Sequence, residues 1–217
     1  MSIRDMVARH SDFEDTKDFI PTPPFATRAL YEIVAPELKE LAPRISFWDP
    51  AAGHGHMMKV AKEYGHPVVL GSDVTPWEDN EVSITKADFV SPDKASFKVG
   101  AIVTNPPYAE LEGFLREGMD KAEVALAMLV RIQALETQGR YNNIYSKVPP
   151  TQIAFFSDRI PFKTGAVVKK APKMFFHVWL YWDMQAVRAG HALAAQRPPL
   201  WIPPTIQRDL EKDSDYV

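Results

Sequence analysis

The chain has 217 residues, 46% hydrophobic and 24% charged, and its 25 Lys and Arg against 28 Asp and Glu give a formal net charge of −3. That composition accommodates one soluble domain with a sizeable core, and the mild negative charge argues against a protein that coats polyanions by bulk electrostatics. The absence of cysteine excludes disulfide frameworks, thiolate zinc sites, iron–sulfur clusters and cysteine nucleophiles, and accords with a reducing compartment.

Residues 1–18 form a charged extension without the apolar core of a signal peptide. The longest apolar runs, 124–130 and 174–181, fall far short of the ~20 residues of a membrane helix, so a cytoplasmic protein without membrane contact is expected. Pro-Pro pairs at 23–24, 106–107, 149–150, 198–199 and 203–204 punctuate the chain, and strand-like and helix-like segments alternate between them. A first strand is predicted over 45–49 and stops at Asp49-Pro50. The glycine loop 51–55 then leads into a helix ending near residue 64. Residues 67–73 (PVVLGSD) form a second strand, 82–85 a weaker third, 100–105 (GAIVTN) a fourth and 124–130 (VALAMLV) a fifth. Between the last two, Leu111, Phe114, Leu115 and Met119 recur at helical spacing. Strands that end in loops and feed helices predict βαβ units and a parallel sheet; near-continuous apolar strands predict cover on both faces. Residues 152–160 and 175–183 have no helix between them and read as an antiparallel pair. From about residue 196 the chain turns proline-rich and then acidic, and 196–217 reads as a loosely attached tail.

The loop Asp49-Pro50-Ala51-Ala52-Gly53-His54-Gly55-His56-Met57 follows a strand and opens a helix, where glycines let the backbone turn tightly and approach a ligand. Asp73 lies 20 residues after Gly53 at the end of the next strand, where a carboxylate can accept both hydroxyls of a ribose. Asp88, with Phe89 beside it, can cap an adenine amino group. A dinucleotide fingerprint would require a third glycine at position 58; Met58 stands there instead, so no pyrophosphate cradle is implied. A nucleoside without phosphates fits better, with S-adenosylmethionine (SAM) as the candidate. His54 and His56 have no third ligand in view and read as loop filling, with no metal expected.

Asn105-Pro106-Pro107-Tyr108 ends the fourth strand. An adenine amino nitrogen is a poor nucleophile because its lone pair is delocalised into the ring; two acceptors on its hydrogens draw it toward a tetrahedral geometry. The Asn105 side-chain oxygen supplies one acceptor and the Pro106 carbonyl the other, held by prolines that fix φ. Tyr108 offers a ring on which a flipped base can stack.

With these residues and the loop Asp49-Pro-x-x-Gly-x-Gly-x-Met57, the sequence resembles the SAM-dependent adenine-N6 DNA methyltransferases of the Asn-Pro-Pro-Tyr type, in particular small phage- or prophage-type members. The likeness spans about residues 19–183. It extends to Phe19-Ile-Pro-Thr22-Pro23-Pro24, to Gly139-Arg140-Tyr141, to Asp158-Arg159-Ile160-Pro161-Phe162 and to His177-Val-Trp179-Leu-Tyr-Trp182. The resemblance implies a doubly wound α/β domain over 19–195, with a mostly parallel seven-stranded sheet and one antiparallel strand. It implies that Thr22 and Pro23 hold the methionine end of SAM. Asp49, Pro50, Gly53 and Gly55 would form the cofactor loop, Asp73 would take the ribose, and Asp88 and Phe89 the cofactor adenine. Asn105, Pro106, Pro107 and Tyr108 would carry the chemistry on a flipped adenine in DNA. Trp77 could edge the cofactor adenine. A phage-encoded member would act in the host cytoplasm.

The net charge hides a split. Residues 1–124 hold 13 basic and 21 acidic side chains, and residues 125–217 hold 12 and 7. Arg140, Lys147, Arg159, Lys163, Lys169, Lys170 and Lys173 crowd one stretch with Asp158 alone against them, interleaved with aromatic residues. Cations for phosphates and rings for bases are what nucleic-acid binding needs. Arg140, Lys147, Lys163, Lys169, Lys170 and Lys173 are therefore expected to face the polyanion, and Phe175 or Phe176 to back the target base. With no separate recognition domain in view, little or short sequence preference is expected, and a monomer is favoured. Other readings stay open: an RNA adenine methyltransferase, a protein glutamine-amide methyltransferase, and a non-catalytic nucleic-acid-binding subunit.

Overall fold

A computed structural model describes residues 20–75, 82–91, 97–163, 165–173 and 175–216. Among these described residues, eight strands form one sheet: β1 Phe47–Asp49, β2 Val69–Asp73, β3 Thr85–Lys86, β4 Val99–Thr104, β5 Ala122–Arg131, β6 Gln152–Phe156, β7 His177–Asp183 and β8 Leu200–Ile202. Their spatial order is β3-β2-β1-β4-β5-β7-β6-β8. β7 runs antiparallel to both β5 and β6, and every other pairing is parallel. The single antiparallel strand matches the sequence reading; the strand count does not. Residues 200–202, read as part of a loose tail, add an eighth strand parallel to β6 with Phe155 opposite Trp201.

Helices cover both faces, as the apolar strands predicted. On one face, α1 (Pro24–Ala29), α2 (Pro36–Leu41) and α3 (His56–Glu63) bury Phe25, Ala29, Leu38, Met57, Met58 and Val60 in one core with Ala101, Val103, Ala127 and Leu129 of the central strands. On the other, α4 (Leu111–Lys121) buries Leu111, Phe114 and Leu115 against Ile102, Leu126, Met128 and Trp182. All of β4 is buried, the expected state of a strand covered on both sides. Among the described residues no helix is long and apolar enough to cross a membrane.

Met58, the departure from the dinucleotide fingerprint, finds its counterpart in β2. A Cβ on Gly71 would lie 2.3 Å from the Met58 sulfur and 2.8 Å from its methyl. The glycine that lets helix and strand approach has moved from the helix to the strand. Because Met58 is 1% exposed and has little room to move, Gly71→Ala is expected to cost about 1–3 kcal/mol, measured as a shift in the urea midpoint.

The C-terminal segment is docked, which corrects the reading of 196–217 as loosely attached. Ile202 and Ile206 are buried in the main core, the latter at the start of a last helix, Ile206–Leu210. Beyond it, Asp215 reaches the buried Arg28 of α1. The Arg28 guanidinium donates two hydrogen bonds to Asp215 (both 2.7 Å), two to Glu63 of α3 (2.8 and 2.9 Å) and one to the Leu210 carbonyl (2.8 Å). The Arg28 bond holds the Glu63 carboxyl below the usual range. Trp201 stacks on Phe155 with ring centroids 5.5 Å apart.

Candidate active site

Because β1, β2, β4 and β5 are parallel, Asp49, Asp73, Asn105 and Arg131 emerge at one edge of the sheet. Strand order reverses between β1 and β4, and in open α/β sheets ligands bind in the crevice at such a switch point. A cleft of about 850 Å³ opens there, walled by Thr22, Asp49, Pro50, Asp73, Asp88 and Phe89 on one side. Asn105, Pro106, Pro107, Tyr108 and Phe175 wall the other.

The first wall is organised by backbone turns. Gly53 and Gly55 have φ of 51° and 74°, the left-handed region that favours glycine. A Cβ on Gly55 would also stand 2.2 Å from Val82 Cγ2. These glycines and Pro23 shape the wall through the main chain and are not among the lining side chains. Asp73 ties the loop to β2: its Oδ2 accepts from the Gly53 N–H and its Oδ1 from the Thr75 N–H, both at 2.9 Å. Each oxygen is thereby fixed in direction and keeps acceptor capacity for a second donor. Asp49 is 2% exposed and accepts from the Ala51 N–H at 3.1 Å. Burial pushes its carboxyl up to about 7, against the pull of that bond. Asp88 accepts from the Val90 N–H at 2.9 Å, and Phe89 wedges between Trp48 and Phe114, 5.0 Å from each ring.

On the second wall, Asn105 donates from Nδ2 to Thr22 Oγ1 at 3.0 Å. With its amide nitrogen committed to Thr22, Asn105 presents Oδ1 as an acceptor. Two sequence features read as separate, the segment at Thr22 and the 105–108 tetrapeptide, are thus one unit. Tyr108 is 39% exposed and has the Arg140 and Arg131 guanidinium carbons 5.1 and 6.0 Å from its ring centroid.

The basic residues separate in space. Arg140, expected on the surface, is 8% exposed; it donates to the Gln133 and Ala134 carbonyls and backs Tyr108. Lys147, Lys163, Lys169, Lys170 and Lys173 are exposed, and none of them lines the cleft. Lys169 pairs with Glu211 at 2.7 Å and Lys173 pairs with Asp158, so part of the excess positive charge is neutralised within the chain. Phe176 lies outside the cleft with Arg159 4.3 Å from its ring. Phe19 and Trp77 lie outside the described residues.

Among the cleft residues that the sequence reading did not assign to the site are Arg131 and His177, which stand opposite each other in the β5–β7 register. The Arg131 guanidinium sits 3.9 Å from the Phe175 ring centroid. His177 is held by the Phe175 carbonyl at 3.2 Å and lies 4.6 Å from the Phe162 ring. Burial, with Arg131 adding to it, lowers the His177 pKa to about 4, so the imidazole is neutral at pH 7. Arg131 did carry a signal: it is the charge that ends the apolar run of β5.

No protein-family model and no curated protein sequence matches the chain. Solved structures do. A protein described as a modification subunit of a type I restriction enzyme from Vibrio vulnificus aligns at 16% identity and a TM-score of 0.54, over 83% of this chain and 48% of its own; the chain thus spans about half of that subunit. A protein described as a class I SAM-dependent methyltransferase from Listeria monocytogenes aligns at 15% identity and a TM-score of 0.52, over 75% and 60%. The 23S rRNA methyltransferase ErmE aligns at 13% identity and a TM-score of 0.50, over 88% and 75%. The chain has the fold of class I SAM-dependent methyltransferases.

Proposed function

We propose that this protein transfers a methyl group from SAM to the N6 amino group of adenine in DNA, acting on a base swung out of the helix. The observation that carries the reading is the Asn105–Thr22 hydrogen bond, which turns one acceptor toward a cleft that also has the acids suited to a nucleoside. SAM supplies a methyl group already activated on a sulfonium. Thr22 and Pro23 would hold its methionine end, the loop with Asp49, Pro50, Gly53 and Gly55 would form the cofactor loop, Asp73 would accept from its ribose, and Asp88 and Phe89 would take its adenine. The carboxyl groups of Asp49, Asp73 and Asp88 on one wall of the cleft suit a cationic nucleoside and would repel a phosphorylated one. Asn105 Oδ1 and the Pro106 carbonyl accept from the two hydrogens of the target amine, and Tyr108 and Phe175 offer faces for its ring. Positioning for in-line transfer is most of the catalysis. Two of the similar structures are described as a modification subunit of a type I restriction enzyme and as a 23S rRNA methyltransferase, which supports a nucleic acid over a protein amide.

Labelled methyl from SAM should appear in DNA when DNA, RNA and protein are offered in parallel under matched salt. Label in protein alone would overturn the reading, and label in RNA alone would move it to the RNA alternative.

Asp49 makes the cofactor step pH-dependent. Its carboxyl is neutral below about 7 in the free protein, whereas the unfolded chain ionises it near about 4. Ionising it inside the fold therefore erodes stability as pH rises from about 4 through 7. A cation bound beside it restores the ionised form. The rise in melting temperature on adding SAM should accordingly grow between pH 6 and 8, and Asp49→Asn should flatten that dependence. A SAM-induced shift independent of pH in the parent protein would contradict it.

A further inference from the structure

Arg28 and Arg140 are both buried, and they are bonded very differently. Arg28 donates hydrogen bonds of 2.7 to 2.9 Å to two carboxylates and a carbonyl, the bonding of a structural staple. Arg140 reaches the Gln133 and Ala134 carbonyls at 3.4 and 3.3 Å and the Glu112 carboxylate at 3.8 Å. Its buried Nε has no hydrogen-bond partner among the described residues. Such long, incomplete bonds offset little of the cost of burying a guanidinium, so stapling alone does not account for Arg140. What Arg140 has instead is the Tyr108 ring, whose centroid lies 5.1 Å from the guanidinium carbon, within cation–π range. Arg131 is farther from that ring, at 6.0 Å, and closer to Phe175. The surrounding chain aims Arg140 at Tyr108. Tyr108 opens the turn Tyr108–Glu110 that leads into α4, and Glu112 stands in the first turn of that helix. Gln133 and Ala134 belong to the turn after β5. Arg140 ends a three-residue helix, and its N–H donates to Thr137 Oγ1 at 3.3 Å. Its guanidinium therefore bridges the turn that carries Tyr108 and the turn that follows β5.

We propose that Arg140 is a positioning residue: its buried guanidinium holds the Tyr108 ring in one orientation as the surface on which the target base stacks. Tyr108 lines the cleft and is partly exposed, and a partly exposed tyrosine exchanges rotamers unless something holds its ring. The inference rests on the base-methylation reading above and deepens it, because a ring set in advance lowers the ordering cost of seating the base for in-line transfer. It also replaces the sequence expectation that Arg140 faces a phosphate: its guanidinium is committed to carbonyls and a ring inside the fold.

The test is a double-mutant cycle in the full-length protein, on a DNA oligonucleotide that the parent protein methylates. Tyr108→Leu should lower kcat/KM by about tenfold, the loss of one base–ring stack. Arg140→Met, which keeps an apolar stem without the charge, should lower it by about threefold to tenfold. The double variant should be no worse than Tyr108→Leu alone, because Arg140 acts through that ring. SAM affinity by calorimetry and the salt slope of oligonucleotide binding should be unchanged by Arg140→Met, and Arg140→Lys should recover part of the loss. If Arg140→Met does not fold, Arg140→Lys carries the same cycle. The proposal is overturned if Tyr108→Leu is as active as the parent, a result that needs no buried substitution, or if the two losses multiply. A salt slope lowered by about 0.7–0.9 in Arg140→Met would also overturn it, by making Arg140 a phosphate contact. Failure of the parent protein to methylate any DNA would instead remove the reading on which the inference rests.

Discussion

Asn105→Ala is expected to lower the rate of methyl transfer by about a thousandfold while leaving SAM affinity unchanged. In the proposed function the side chain faces the acceptor, and its amide nitrogen is held by Thr22 at 3.0 Å, so the variant would remove an acceptor aimed at the target amine and little else. Asn105→Asp should keep part of the activity: the carboxylate still presents an acceptor, and the Thr22 hydroxyl can turn to donate to it. Thr22 is itself 7% exposed and cannot swing away. Single-turnover rates at saturating SAM, with calorimetric SAM titrations alongside, measure both quantities. If Asn105→Ala weakened SAM binding and left the transfer rate intact, Asn105 would be part of the cofactor wall.

Asp215→Ala should produce the largest loss of stability. Arg28 is 4% exposed, and the Asp215 side chain is 5% exposed. Removing one carboxylate from a buried guanidinium costs about 3 kcal/mol, or about 6–12 °C in melting temperature for a chain of this length. The effect reaches the site through α1, which carries Arg28 and begins directly after Thr22 and Pro23. A melting temperature unchanged by Asp215→Ala would mean that the C-terminal segment does not secure α1.

Much of this was legible in the sequence where local chemistry decides the outcome. The turn at Gly53 and Gly55, the acid at Asp73 and the rigid tetrapeptide at 105–108 each announce themselves within a few residues. The unpaired apolar segments around β6 and β7 correctly implied an antiparallel pair. What escaped depends on partners distant in the chain. β8 is three residues between two Pro-Pro pairs, which reads as a tail; an edge strand tolerates flanking prolines because it needs few ladder bonds. The third strand, expected over 82–85, forms as two residues, Thr85–Lys86. Arg140 belongs to a basic run, and only the turn carbonyls of Gln133 and Ala134 reveal that it is buried. Arg131 and His177 meet solely through the β5–β7 register, which no spacing rule encodes.

The central claim is the identity of the atom that is methylated. Incubating DNA with the protein and deuterated-methyl SAM, digesting to nucleosides and resolving them by mass spectrometry measures that directly. N6-methyldeoxyadenosine carrying the heavy methyl, present with the parent protein and lost with Asn105→Ala, is the predicted result. Heavy methyl on another atom or base, or unchanged yield with Asn105→Ala, would contradict it.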